Sequence, residues 1–476
     1  MKKMLLMLLT IILMISVSAC SSADNGNTAQ TPNEDKTTKT PNEDKTTKTP
    51  NGEKTEGTKS NNEEKTIVFS TFFPTEFLKE AKKKYEAKHP NITIELKYLE
   101  DSDGDGESDE GAYEKLIKTT NTAMLSGKGA DLIEMDQLPM DKYVKNNLLA
   151  NISEMIDKDP TFKKEQYFNN ILDGVKINGG IYGMPLGFIM YGLMGNETLI
   201  EKSGVKFDDK TWNWSQYTDV IRQLMKFGEN NGKYGVFSSP DALLNEMVKD
   251  QYPTFVDEVN GKVNFDSDTF TKLLKQVKSL SDEHIITQEQ VHTLFRTVSI
   301  TSPSYYIRDL KESEFYEKGY ENKEYKSKLY AKPNANGQQA GGYFRPYQTI
   351  GINEKSSVKE EAWDFIKFML SDEMDNAGFS LNKTVYKKHT QQLLKEGKVT
   401  SGQSVGPMKG KVFEITAKDI QELDQFISEA IHPVAFKPSK VEEIISEESK
   451  AYFSGQKSVE VVAKLIQNRV TTVLNE

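Results

Sequence analysis

The sequence predicts an α/β protein, and three observations carry that reading. Its first folded stretch alternates strand and helix. A strongly amphipathic helix recurs late in the chain. The chain is 476 residues long, enough for two or three domains. Folded sequence begins at TIVFSTFF (66–73), a short β-rich run. In TEFLKEAKKKYEAKHP, Phe77, Leu78, Ala81 and Tyr85 recur at helical spacing, and Pro90 ends the helix. NITIELKYLE alternates Ile92, Ile94, Leu96 and Tyr98, the period of a strand. AYEKLIKTTNTAMLSGKG reads as a helix stopped by Gly127, and ADLIEMD as a buried strand. Strand, helix, strand, helix, strand implies a parallel or mixed sheet covered by helices.

Further along, GGIYGMPLGFIMYGLMGNETLIEKSGV carries two apolar runs broken by Gly and Pro. TWNWSQYTDVIRQLMKFG reads as a helix after a Trp-bearing turn. Residues 240–330 read as helix-dominated. GGYFRPYQTIGINEKS is a strand region, and KEEAWDFIKFMLSDEMDNAGF a strong amphipathic helix.

The N-terminal 65 residues have a different composition. MKK is a short basic segment, and MLLMLLTIILMISVSA is an apolar run too short and wrongly flanked for a spanning helix. It ends at Cys20, the chain's single cysteine, so no disulfide framework is possible. Residues 21–65 are rich in Thr, Lys, Glu, Asn, Asp, Gly and Pro, and TPNEDKTTK occurs at 31–39 and again at 40–48. With almost nothing apolar to bury, this segment is expected to be a disordered linker. As a coil it would reach roughly 35–40 Å. The formal net charge of −10 and the lack of a basic stripe with interleaved aromatics argue against nucleic acid as a partner.

SVSAC followed by Ser-Ser resembles a bacterial lipoprotein lipobox. The resemblance implies that residues 1–20 are a signal peptide and that Cys20 is lipidated, palmitate included. The protein would then meet the membrane through this N-terminal lipid alone, on the extracellular face of the cell membrane in the Gram-positive style. The remaining segments, in order, resemble the family-1 extracellular solute-binding proteins. These are maltose-binding-protein-like receptors of ABC importers for carbohydrates. The opening strand-helix-strand, GKGADLIEMD, INGGIYGMPLGFIMYGLMGNETLIEKSGV, TWNWSQYTDVIRQL and YQTIGINEKSSVKEEAWDFIKFMLSDEM carry the likeness. It implies a two-lobed periplasmic-binding-protein-like fold of type II, with a hinge the chain crosses more than once. Lobe one would be 66–188 plus 340–372, and lobe two 189–339 plus 373–476. A monomer would close on its ligand by hinge bending and present it to an ABC permease.

Sugars offer hydroxyl rims and apolar faces, so a sugar site needs aromatic plates and hydrogen-bonding groups. At cleft positions implied by the resemblance stand Phe72, Phe73, Asp136, Phe188, Tyr191, Trp212, Trp214, Tyr305, Tyr306, Tyr343 and Arg345. For each aromatic the alternative is core packing. For Asp136 and Arg345 it is a salt bridge.

DSDGDGESDE (101–110) fits the first part of an EF-hand loop. Asp101, Asp103 and Asp105 occupy positions 1, 3 and 5, Gly106 the turn, Glu107 position 7 and Asp109 position 9. Position 12 is Ala112 rather than the usual Glu, and Glu110 follows Asp109 directly. The pattern resembles shorter calcium loops closed by an Asp-Glu pair, and one structural Ca²⁺ is expected there.

No G-x-S-x-G, HExxH or P-loop is present, and five scattered histidines offer little for metal catalysis, so an enzyme is not expected. Two other readings stay open. One is the same fold with a non-sugar ligand such as a peptide, a polyamine or an anion, for which Arg345 and Arg308 could serve. The other is a sensor or adhesion lipoprotein.

Overall fold

The computed structural model describes residues 63–98, 110–227, 234–289, 293–321, 325–376, 378–434 and 440–475. All belong to the unit Asn62–Glu476. Cys20, residues 21–62 of the expected linker and the loop residues Asp101, Asp103, Asp105, Glu107 and Asp109 lie outside the described residues, as does the side chain of Glu110, whereas Lys65, expected in the linker, opens the first strand.

The strands are β1 (Lys65–Ser70), β2 (Ile92–Lys97), β3 (Leu132–Glu134), β4 (Met184–Asn196), β5 (Tyr234–Phe237), β6 (Val256–Asp257), β7 (Lys262–Val263) and β8 (Ile286–Thr287). They continue as β9 (Thr293–Ile300), β10 (Ser327–Tyr330), β11 (Gly342–Ile352), β12 (Phe379–Ser380), β13 (Lys398–Thr400), β14 (Val412–Glu414) and β15 (Ala430–Pro433). The opening follows the sequence pattern. Helix Glu76–Lys88 starts where the Thr75 side chain accepts the Leu78 amide, and it buries Leu78, Ala81 and Tyr85. Helix Glu110–Leu125 ends just before Gly127, which adopts φ +73°.

One large sheet runs β2-β1-β3-β11-β4-β9-β5-β8, with β10 and β12 on β4 and β15 on β11. β1 is parallel to β2 and β3, as the alternation of helix and strand requires. β11 runs antiparallel to both β3 and β4. The apolar segment 184–196 is one strand rather than two broken runs. Nearly all of it is buried, which is why it reads as apolar without alternation. Its glycines are packing positions. A Cβ on Gly187 would lie 2.5 Å from the Phe379 carbonyl oxygen, where β12 closes on β4.

The stretch 240–330 holds the expected helices Pro240–Lys249, Asp268–Asp282 and Pro303–Glu321. It also holds strands β6 to β10, which the sequence pattern understated. β9, TLFRTVSI, buries Leu294, Phe295, Val298 and Ile300, a pattern too irregular to announce a strand.

Apolar side chains gather in two large cores and one small one. The first joins β1, β2 and the first part of β4 to helix Lys359–Met369, through residues such as Ile67, Tyr85, Met190 and Phe365. The second surrounds Trp212, Ile221, Leu244, Phe270, Phe295 and Ile466. The third lies under Phe72, Met124, Ile133 and Tyr143. Met374, Phe379, Tyr386, Leu423 and Ile427, from a segment expected with lobe two, bury their side chains in the first core.

Candidate functional site

Sheet register places the site. β4 leaves the first core and enters the second without a break. Its early residues pair with β11, as Pro185 does with Thr349, and its late residues with β9 and β10. Met190 faces Phe344 of β11 on one side and Ile300, the last residue of β9, on the other. β3 is antiparallel to β11 and so parallel to β4, whereas β9 is antiparallel to β4. The carboxyl ends of β1 and β3 therefore point toward the carboxyl ends of β5 and β9. β4 and β11 span the interval, about 16 Å from Pro185 to Met190 at 3.3 Å per residue. Carboxyl ends of strands are where open α/β sheets place ligands.

On the first edge, β1 runs into Thr71, Phe72 and Phe73. The Glu134 carboxylate at the end of β3 accepts the Thr71 hydroxyl and, at 3.0 Å, the Phe72 amide. Asp136, two residues on, accepts the amides of Gln348 and Thr349 at 2.9 Å each. Tyr113, from helix Glu110–Leu125, stacks on Phe72 with centroids 5.0 Å apart and lies 6.3 Å from Phe73. Phe73 remains 50% exposed. On β11, residues 345 and 347 share one face by strand alternation, opposite the core-facing Phe344. Tyr347 is 39% exposed. On the facing edge, Phe237 closes β5 and is 49% exposed. Tyr305 opens the helix that follows β9, its amide donated to the Ser302 hydroxyl.

Burial pushes the carboxyls of Glu134 and Asp136 up. Asp136 further raises Glu134, while hydrogen bonds from Thr71 and Phe72 oppose the rise. At Asp136 the bonds from Thr349 and Gln348 and the charge of Arg345 oppose it. The Tyr113 hydroxyl is pushed up to about 12, by burial first and then by Glu134 and Asp136. Tyr347 is raised by burial and the same two carboxylates.

The structure thus brings together Phe73, Asp136 and Arg345, with Tyr191 half-buried further along the same face of the β4–β11 pair. Six other expected plates are core residues, because protein atoms already cover their rings. Phe72 is packed in the third core with Tyr113 stacked on it. Phe188, 2% exposed, lies flat against Phe379 and edge-on to Phe168. Trp212 stacks on Phe207 and donates its indole N–H to the Ala331 carbonyl at 3.0 Å. Trp214 meets Tyr217 edge-to-face in the second core. Tyr306 belongs to the first core. Tyr343 is fully buried, its hydroxyl donating to Gln338 and its ring beneath Lys332. Tyr305 is half-buried with Arg308 5.3 Å over its ring, and Arg308 in turn approaches Gly402.

Sequence reasoning missed Tyr113, Glu134, Phe237, Tyr347 and Gln348. Period-2 alternation was the available signal for two of them. Glu134 stands two residues before Asp136, and Tyr347 two after Arg345, each on its partner's side of the chain.

Residues 74–376 match the family described as bacterial extracellular solute-binding protein. The chain belongs to that family. A binding protein of Brucella abortus (strain 2308) is 21% identical to this solute-binding protein over 320 residues, 64% of this chain and 71% of its own. Among solved structures, the sugar-binding protein MalE from Xanthomonas citri is 14% identical and superimposes with a TM-score of 0.54, over 86% of this chain and 97% of its own. A periplasmic oligogalacturonide binding protein from Yersinia enterocolitica is 16% identical, also at 0.54, over 86% of this chain and 99% of its own. The fold is the two-lobed periplasmic-binding-protein-like α/β fold. No helix among the described residues is long and apolar enough to cross a membrane.

Proposed function

We propose that this solute-binding protein is an extracellular, lipid-anchored receptor that captures a carbohydrate, an oligosaccharide by preference, and delivers it to an ABC permease. One observation supports the ligand class above the rest. Phe73, just past the end of β1, and Tyr347, in the middle of β11, stay substantially exposed near Glu134, Asp136, Gln348 and Arg345. Exposed aromatic plates next to fixed hydrogen-bonding groups suit the two-sided chemistry of a sugar ring. Phe237 offers an aromatic surface to the opposite side of such a ligand.

Lipidation at Cys20 and the 21–65 linker would hold the receptor off the membrane while leaving the cleft free. Ca²⁺ held by Asp101, Asp103, Asp105, Glu107, Asp109 and Glu110 would pin the loop ahead of helix Glu110–Leu125, the helix that supplies Tyr113.

Thermal melting of the protein against oligosaccharides, monosaccharides, peptides and polyamines tests this reading. A ligand at a hundred times its dissociation constant adds about 2.7 kcal/mol. A rise in Tm with one glycan class supports the receptor and names its ligand. A rise only with peptides or polyamines keeps the fold and overturns the carbohydrate.

A further inference from the structure

The cleft edge has a charge balance as well as a shape. Glu134 and Asp136 sit two residues apart on one side of the chain, both largely withdrawn from water, and both are engaged by groups that favour an ionised or acceptor oxygen. The basic side chain beside them is Arg345, close enough to act on Asp136. Arg308 lies 5.3 Å over the ring of Tyr305 on the facing edge and approaches Gly402. Phe73 follows Phe72, whose amide Glu134 accepts at 3.0 Å, and Tyr347 precedes Gln348, whose backbone amide Asp136 accepts at 2.9 Å. Tyr347 and Tyr113 both feel the field of the two carboxylates.

From this juxtaposition we infer that the cleft selects glycans whose stacked unit carries no negative charge, taking uncharged or amine-bearing sugars and excluding carboxylated ones. This rests on the carbohydrate reading above. A uronate stacked on Phe73 or Tyr347 would lose its hydration against two carboxylates and gain one guanidinium that Asp136 already shares. A neutral hydroxyl loses far less and can donate to the same oxygens. An ammonium group gains attraction from both. The same fold in the Yersinia enterocolitica protein binds oligogalacturonide, so fold alone does not dictate the sign of the ligand.

The test is calorimetric titration of the full protein, calcium present, with matched trimers: neutral gluco-oligosaccharides, a glucosamine trimer and trigalacturonate. Binding of a neutral or amine-bearing trimer, with trigalacturonate weaker by roughly a hundredfold, is expected for like charges brought together in a desolvated site. Raising salt should narrow that gap for the amine-bearing trimer. The isosteric double variant Glu134→Gln with Asp136→Asn should relax the discrimination by at least about tenfold. If that variant does not fold, the wild-type comparison still decides. Trigalacturonate binding as tightly as the neutral trimers, or more tightly, overturns the inference while leaving the carbohydrate receptor standing. No heat with any glycan, and heat with a peptide or polyamine, overturns both.

Discussion

Asp136 accepts two consecutive backbone amides, those of Gln348 and Thr349, at 2.9 Å each. Gln348 holds φ +50°, a left-handed conformation that few side chains adopt, and its side-chain amide donates to the Thr75 hydroxyl at 3.4 Å. The carboxylate thus fastens the segment after β3 to the middle of β11, next to Tyr347. Asp136→Ala should cost about 1–3 kcal/mol through the two orphaned amides. It should also weaken ligand binding, because the backbone next to Tyr347 loses its anchor. Denaturant unfolding and ligand titration of one variant read both effects.

Glu134 and Asp136 give the fold a particular pH response. Their carboxyls are raised in the folded state, so over the interval above the ordinary carboxylate value the folded protein binds more protons than the unfolded chain. Stability from these groups is greatest in acid and falls as pH rises through that interval toward neutrality. Glu134→Gln should flatten that fall. Urea midpoints between pH 4 and 7 for the two proteins measure it, and an unchanged slope contradicts the assignment.

Asp159 works in the opposite direction. Burial alone would raise its carboxyl, but Lys367, Thr161 and the Trp363 indole at 2.9 Å together hold it well below the ordinary value. Its contribution is complete above the unfolded carboxylate value and is lost as pH falls below it. Asp159→Asn should therefore destabilise the protein by about 1–3 kcal/mol at pH 7 and progressively less toward pH 2. Thermal melting across that range checks the sign.

Phe73 and Tyr347 should separate binding from stability. Each is substantially exposed, so truncation removes little core. Phe73→Ala or Tyr347→Ala is expected to weaken a bound glycan by about tenfold or more through lost ring contact, with Tm of the free protein nearly unchanged. Phe188→Ala should do the reverse, costing about 3–5 kcal/mol of stability because its ring fills the first core.

Lys332 is buried with Asp250 and Glu246, 2.9 Å from each. Burial alone would lower the ammonium group, and the two carboxylates hold it above its ordinary value instead. Removing it would strand Asp250, whose side chain is 1% exposed. Lys332→Ala should cost about 3–5 kcal/mol, measured by chemical denaturation. The Lys332 ammonium lies over the Tyr343 ring and beside the second core, so the loss should centre there. Exchange of amide hydrogens in helix Pro240–Lys249 would locate it.

Local patterns in the sequence were enough for the α/β class, the opening elements and the family. Ile92 and Ile94 alternate because one face of β2 is buried, and Leu78, Ala81 and Tyr85 recur because one face of a helix is. Those periods are written in the chain itself. Asp136 and Arg345 came only from the positions that the family resemblance implies. Which aromatics face the cleft was not legible in the sequence. Phe73 and Phe188 look alike in sequence, but burial is decided by what other segments bring. β12 lays Phe379 over Phe188, while nothing among the described residues covers half of Phe73. Only the antiparallel register of β11 could bring Gln348, 212 residues beyond Asp136, onto that carboxylate.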